Sequence, residues 1–581
     1  MSNEEKNLEL LKEAGEAPFW LEIYGFKTLS NGYLLPGETP RTMYKRVAKA
    51  AADKLTKHPN IETKIYNYIW NNWICLSTPV ASNLGTDRGL PVSCFGQAVD
   101  DSLDGIFKSY HETAMLTKNG GGIGKEWSKI RSRGMSIKGN GTSEGVVPWM
   151  KIEESVLQGV SQGSTRRGAG ANYLDILHGD AEEFIDIRRQ TGDPTRRCLS
   201  VNFHHALNIP DEFMNDMVSG NKKYRNLWEK LLKARIEMGE PYLHFNGNSN
   251  KNLPEWYKLN GLNIKQSQLC NEIFLHSDPK HTFTCVLCSM NVARFDEWKN
   301  TDAVEIAIMM LDAVAEEFIQ KAKLVPGFEN AVRFTEKSRA LGLGVLGWHT
   351  LLQSKLISFD SFEAMQLNAQ VFKLIKEKAE LATTDLAEKY GEVQWTLGFK
   401  RRNTHLLAVA PTVSNSLISG GVSQGIEPIA ANIYSQKSAK GTYIRKNPAL
   451  QAHLASIGKD NLEVWEEINK NSGSVKSLKF LSDLEKEVFA TAREINQFAL
   501  VRQAGQRQKF IDQGQSLNLF FAVPKDIQDN DLRKKLGKYI HEVHMEAWLL
   551  GLKGLYYLRP ESALKGDSVF KESSDCKACE A

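Results

Sequence analysis

The 581-residue chain lacks any run approaching the roughly 18 apolar residues that a membrane helix needs. It also lacks an excess of one charge: 73 Lys plus Arg stand against 69 Asp plus Glu, a formal net charge of +4. So weak a field excludes nucleic-acid or membrane binding as the main activity and sends the search for chemistry to local sites. The opening MSNEEKNLELLKEAGEAPFW is acidic and amphipathic, without the basic start and apolar core of a secretory signal. A soluble, cytoplasmic protein is expected. No repeat of fixed period and no low-complexity tract is visible. Cysteine is scarce, with eight residues at 75, 94, 198, 270, 285, 288, 576 and 579. In a reducing compartment such a set signals redox catalysis or metal binding more often than structural bridges.

What is present is α/β in character. Positions 1–92 read mainly as helices, with PRTMYKRVAKAAADKL and IETKIYNYIWNNWICL spaced near 3.6. From 93 to 562 short apolar strands alternate with amphipathic helices. One helix is DSLDGIFKSYHETAMLTKNG, with Asp101 as its N-cap and Gly120 near its end. DAVEIAIMMLDAVAEEFIQKAKL is a second, and FEAMQLNAQVFKLIKEKAELATTDLAEKYG, closed by Gly391, is a third. The last stretch, 563–581, is small and charged, too polar to fold alone, and reads as a flexible tail.

Several short patterns carry chemistry. In QSQLCNEIF an extended backbone would put Gln268, Cys270 and Glu272 on one face; an edge strand with an incidental thiol explains the same residues. Two CxxC pairs, Cys285 with Cys288 and Cys576 with Cys579, suggest a four-thiolate zinc site. However, TFTCVLCSMNVARF reads as a strand that points Cys285 and Cys288 to opposite faces, so no metal site is assigned. The tail pair reads as an exchangeable dithiol or as two surface thiols. KNGGGIGKEW fails as a P-loop because Glu126 follows Lys125. SQGSTRRGAGAN is a flexible cationic loop suited to phosphate or a base, or simply a surface loop. APTVSNSLISGG could cradle phosphate if a helix begins after Pro411, or could be a capped turn. GLYYL places Tyr556 and Tyr557 side by side in an expected strand, an arrangement usually explained by packing.

Together LPVSC, DDSLDGI, KIRSRG, SQGSTRRGAGAN, QLCNEI, FTCVLCSMN, PTVSNS with GIEP, LYY and the tail CxxC resemble, in order, the large catalytic subunit of class I ribonucleotide reductase. The resemblance implies a ten-stranded α/β barrel of two half-barrels (93–562), preceded by a small helical region (1–92) and followed by a redox tail (563–581). It implies reduction of ribonucleoside diphosphates to deoxyribonucleotides. Cys270 would be the thiyl radical and Glu272 the base at the 3′-OH. Cys94 and Cys285 would supply two electrons and end as a disulfide, which Cys576 and Cys579 would reduce with a thioredoxin- or glutaredoxin-type partner. Tyr556 and Tyr557 match the relay from the metal centre of a radical-generating small subunit; a cobalamin-dependent reductase would not need them. Thr78, Ser93, Pro411, Thr412, Val413, Ser414 and Asn415 match substrate contacts.

Asp101, Arg131 and Lys138 match the site for a nucleoside triphosphate effector, bound with magnesium at a homodimer interface, and the loop carrying Arg166 matches its link to substrate. Gln268 stands where Asn is common, and Lys138 where Arg is more usual. Fewer residues precede Cys94 than an N-terminal ATP-cone requires, so that domain is expected to be missing. A barrel protein that has lost radical chemistry would lack Cys270, Glu272 or the tyrosines. A simple thiol oxidoreductase leaves the tyrosine pair and the phosphate loops unexplained.

Overall fold

The computed structural model describes residues 3–162, 166–438, 441–522 and 530–560. Four helices open the chain: Asn3–Glu13, Ile23–Ser30, Pro40–Ala52 and Ile61–Trp70. The third shows why they form. Thr39 accepts from the Thr42 N–H, Pro40 sits in the first turn, and Met43, Tyr44, Val47, Ala48 and Ala51 share the buried face. That face packs on Ile61, Ile65 and Ile69 of the following helix. Each large apolar side chain removed from water this way contributes about 1.5–3 kcal/mol.

Five parallel strands make the first half of the barrel. They are Cys94–Ala98, Gly122–Glu126, Ala169–Asp175, Phe203–Asn208 and Tyr242–His244, each hydrogen-bonded to the next. Phe283–Asn291 starts the second half and runs parallel to Leu341–Leu346. Single bridges continue the ring from Leu343 to Leu407 and from Val409 to Gln515. Leu519–Phe521 then pairs with Leu558–Pro560. The halves join antiparallel at both seams, Phe283–Asn291 with Cys94–Ala98 and Gly554–Leu555 with Tyr242–His244. Five segments from each half close the expected ten-stranded barrel.

Outside it, Ala303–Ala322 is buried almost all round because it lies between the sheet and Phe362–Tyr390. The latter is capped by Ser361 and ends at Gly391. Two local expectations need correcting. Ser102, not Asp101, caps the helix Leu103–Lys118: it has extended angles and accepts from the Gly105 N–H, which leaves the Asp101 carboxylate for another partner. The tyrosine pair is not inside a strand. Pairing with Tyr242–His244 stops at Leu555 and pairing with Leu519–Phe521 starts at Leu558, so Tyr556 and Tyr557 lie where the chain changes neighbours. Among the described residues no helix is long and apolar enough to cross a membrane.

Candidate active site

The segment 266–274 is not the strand that alternation would require. Residues 269–270 turn and Asn271 takes φ 62°. It crosses the barrel interior instead, where its neighbours must make room. A Cβ on Gly124 would stand 1.9 Å from Ser267 O, and one on Gly514 would stand 2.2 Å from the Phe274 ring. Its backbone is tied to the wall on several sides. The Tyr173 hydroxyl donates to Gln268 O at 2.7 Å, Asn271 Nδ2 to Leu243 O at 3.2 Å, and the Gly514 N–H to Glu272 O at 2.9 Å.

Gln268 organises the turn. Its Oε1 accepts from the N–H groups of Glu272 at 3.3 Å and Ile273 at 3.1 Å, and its Nε2 donates to Glu272 Oε2. Ser516 Oγ lies 3.0 Å from the same carboxylate oxygen and 2.5 Å from Cys270 O. Glu272 is 1% exposed. Burial pushes its carboxyl up to about 7, against the pull of the Gln268 and Ser516 hydrogen bonds. It can therefore hold or release a proton near neutral pH, as a general base must.

Cys94 and Cys285 are direct partners across the antiparallel seam. Opposed residues there have Cα atoms about 4.5–5.5 Å apart, within the range a disulfide spans. Neither is in a disulfide and both are buried, and burial holds Cys285 well above the usual thiol range, so it keeps its proton. Cys285 Sγ occupies the space left by Gly342, and the Glu272 charge acts on it. Cys288, three residues on, faces the opposite side of the pleat among aliphatic residues of the main core.

Tyr556 and Tyr557 are 2% exposed, their ring centroids 4.4 Å apart. They share one buried cluster with Cys270, Leu269 and Tyr242. Tyr242, which sequence reasoning missed, packs 4.7 Å from the first ring and 4.9 Å from the second. The Arg559 guanidinium stands 4.4 Å above Tyr557.

The remaining expected residues have these places in the fold. Thr412 takes φ 58° and Val413–Ile418 is helical, so a helix does begin after Pro411. Val413 and Pro411 are half-buried, while Ser414 and Asn415 are buried. Gly25 of the N-terminal helices lets this element come close, since a Cβ there would meet Leu417 O at 2.9 Å. Thr78 opens Thr78–Asn83 with its hydroxyl 2.7 Å from Tyr33 Oη, and Ser93 is buried before Cys94. Farther off, Arg131 pairs with Asp101 at 2.9 Å, and Lys138 sits exposed with φ 43° in the turn between Ser136 and Thr142. Arg166 belongs to a short strand paired with Ser161–Gln162. Cys576 and Cys579 lie outside the described residues.

Sequence reasoning also missed Ser516 and Tyr173, which carry no local motif, and His276, Asp278 and His281. In that last group Asp278 lies 3.1 Å from one imidazole and 3.0 Å from the other.

A closed ten-stranded α/β barrel with a cysteine–carboxylate loop threaded through it and a thiol pair on its wall is the architecture of a class of reductases. Family models agree: "Ribonucleotide reductase, barrel domain" matches residues 92–224, 217–401 and 397–558, and "Ribonucleotide reductase, all-alpha domain" matches 19–89. The class Id ribonucleotide reductase alpha subunit of Actinobacillus ureae superposes with a TM-score of 0.85 at 39% identity, over 94% of this chain and 98% of that one. A putative ribonucleoside-diphosphate reductase large subunit of Frog virus 3 is 37% identical over 544 residues, 90% of this chain and 93% of the relative. The large subunit from Invertebrate iridescent virus 3 is 32% identical, over 96% and 98% respectively. The chain belongs to the ribonucleotide reductase large-subunit family and is an oxidoreductase of that family.

Proposed function

We propose that this chain is the catalytic subunit of a ribonucleoside-diphosphate reductase. The observation that carries the reading is the convergence of three groups in one barrel: the facing pair Cys94 and Cys285, the threaded Cys270 with Glu272, and the buried tyrosine pair in the same cluster as Cys270. Cys270 as a thiyl radical removes the 3′ hydrogen, and Glu272 takes the 3′-hydroxyl proton. Cys94 and Cys285 give a proton to the departing 2′-hydroxyl and two electrons to the sugar, becoming a disulfide. Burial suits that role, because a thiol kept protonated is a proton donor.

Gln268, by holding both Glu272 Oε2 and two loop N–H groups, positions the base. Thr78, Ser93 and residues 411–415 hold the substrate, with the segment after Pro411 taking its phosphates. Tyr557 and Tyr556 pass the oxidising equivalent inward to Cys270, and a separate small subunit supplies it from its metal centre. Cys576 and Cys579 return electrons from a thioredoxin- or glutaredoxin-type reductant. Asp101, Arg131, Lys138 and Arg166 respond to a nucleoside triphosphate effector with magnesium at a homodimer interface. The packing of Tyr557 and Tyr556 on Tyr242 and beside the Cys270 cluster favours the small-subunit mechanism over the cobalamin one. The deciding experiment mixes the chain with its small subunit, an effector and a dithiol reductant and measures deoxynucleotide formed from each ribonucleoside diphosphate. Formation is expected; none, with an active small subunit present, would overturn the reading.

A further inference from the structure

We propose that the Ser516 hydroxyl is a two-position proton switch coupling the charge on Glu272 to the backbone of Cys270. Ser516 is buried at 2% exposure in the wall segment that bridges to Val409, 246 positions from Cys270. A serine hydroxyl has one proton to give. Here it faces two acceptors, Cys270 O at 2.5 Å and Glu272 Oε2 at 3.0 Å, and cannot serve both fully.

Which acceptor wins depends on Glu272. When the carboxyl is neutral, the Ser516 proton rests on the Cys270 carbonyl, and the Glu272 O–H can itself donate to Ser516 Oγ. When the carboxyl is ionised, a charge-assisted hydrogen bond is about twice as strong as a neutral one, so the hydroxyl turns to Oε2 and releases the Cys270 carbonyl. Gln268 Nε2 donates to the same oxygen in both states.

The switch rests on the reading of Glu272 as the base. In that reading the substrate O–H bond breaks, its proton goes to the Glu272 carboxylate, and the Ser516 O–H rotates back onto Cys270 O. No electron moves and no bond to Ser516 Oγ is broken. The tether on the cysteine is thus loose before proton transfer and tight after it. Ser516 is a positioning residue in this scheme, since it acts on the loop and the base rather than on the substrate.

The other titratable groups that face Glu272 are Tyr173 from Ala169–Asp175 and Cys285 from Phe283–Asn291, both kept neutral by burial; Cys270 on its own loop is disulfide-bonded in this structure and does not titrate. Among the described residues no Lys or Arg pairs with Glu272, so the hydroxyl and the Gln268 amide are the side-chain groups that stabilise its charge, beside its own backbone N–H.

The test is an infrared pH titration of the intact chain without turnover. The carboxyl C=O band of Glu272 is assigned by its loss in Glu272→Gln, and the Cys270 carbonyl is followed with isotope-labelled cysteine, assigned by its loss in Cys270→Ser. In the unaltered chain the Cys270 carbonyl band should shift with the same midpoint as the carboxyl band. Ser516→Ala should raise that midpoint by about one pH unit, tenfold in the protonation equilibrium, and make the cysteine band indifferent to pH. Ser516→Thr should restore both behaviours. A Cys270 band that ignores pH in the unaltered chain, or an unmoved midpoint in folded Ser516→Ala, overturns the switch. Turnover by Glu272→Gln is scored separately: full activity there removes the base reading even if the titration behaves as expected.

Discussion

Gly124→Ala tests whether the loop's path through the barrel is what makes the site. The added methyl would sit 1.9 Å from Ser267 O, 2.6 Å from Gln268 Cα and 2.8 Å from Ser267 C, whereas ordinary contact begins at 3.4 Å. All three atoms are backbone, so no rotamer change relieves the clash. The loop must retreat by more than about 1 Å, and overpacking of this kind costs about 1–3 kcal/mol of stability. The catalytic consequence is larger. Cys270 and Glu272 follow Gln268 within four residues, and a misplacement of about 1 Å at reacting groups costs on the order of 100-fold in rate. The assay is deoxynucleotide formation with the small subunit, run beside thermal unfolding. Gly537→Ala is the control: it lies in the helix Asn530–Leu549 with nothing within 4 Å of the added Cβ, and should gain up to about 1 kcal/mol with activity unchanged. A Gly124→Ala enzyme that turns over within a few-fold of the parent would show that the loop is not held by this contact.

Cys285→Ser should leave the fold intact but prevent any disulfide to Cys94, so turnover should fall below detection; thiol counting before and after one round with substrate should show two thiols lost in the parent and none in the variant. Tyr557→Phe keeps the ring contacts and should cost about 1 kcal/mol in stability at most, yet abolish deoxynucleotide formation while nucleotide binding survives; near-normal turnover would return the pair to a packing role. Glu272 gives a pH test with a definite sign. Its carboxyl rises from the ordinary 4.5 to about 7 in the fold, so its contribution to stability is fully present below about 4.5 and is lost as pH rises through 7. Glu272→Gln should therefore gain stability relative to the parent between pH 5 and pH 8, by up to about 3 kcal/mol in denaturant unfolding, and a constant or shrinking difference would refute the buried-carboxyl reading.

Much of the architecture was legible because local rules decided it. The span Phe362–Tyr390 followed from apolar spacing closed by a glycine stop, and the split of Cys285 from Cys288 followed from the two-residue period of a strand. Legibility failed where two local rules compete or where the deciding contact is distant. Asp101 and Ser102 are both good caps, and only the extended backbone at Ser102 shows which one serves. The tyrosines looked like mid-strand residues because the apolar pattern runs on through Leu558, while the change of partner strand is a property of barrel closure that no five-residue window contains.

The cysteine–carboxylate loop shows the same limit most sharply. Alternation would bring Gln268, Cys270 and Glu272 to one face by backbone geometry alone. The structure brings them together by a turn instead, organised from within by Gln268 and held from elsewhere in the chain by Tyr173 and Gly124 from the first half-barrel and Gly514 and Ser516 from the second. A residue pattern can record which side chains the chemistry needs. It does not record which hydroxyl, hundreds of positions away, will satisfy the carboxylate once both are removed from water, because that pairing is set by the cost of leaving a buried charge without donors. In this barrel that cost falls on Glu272, and the described side-chain donors to its carboxylate are Gln268 and Ser516.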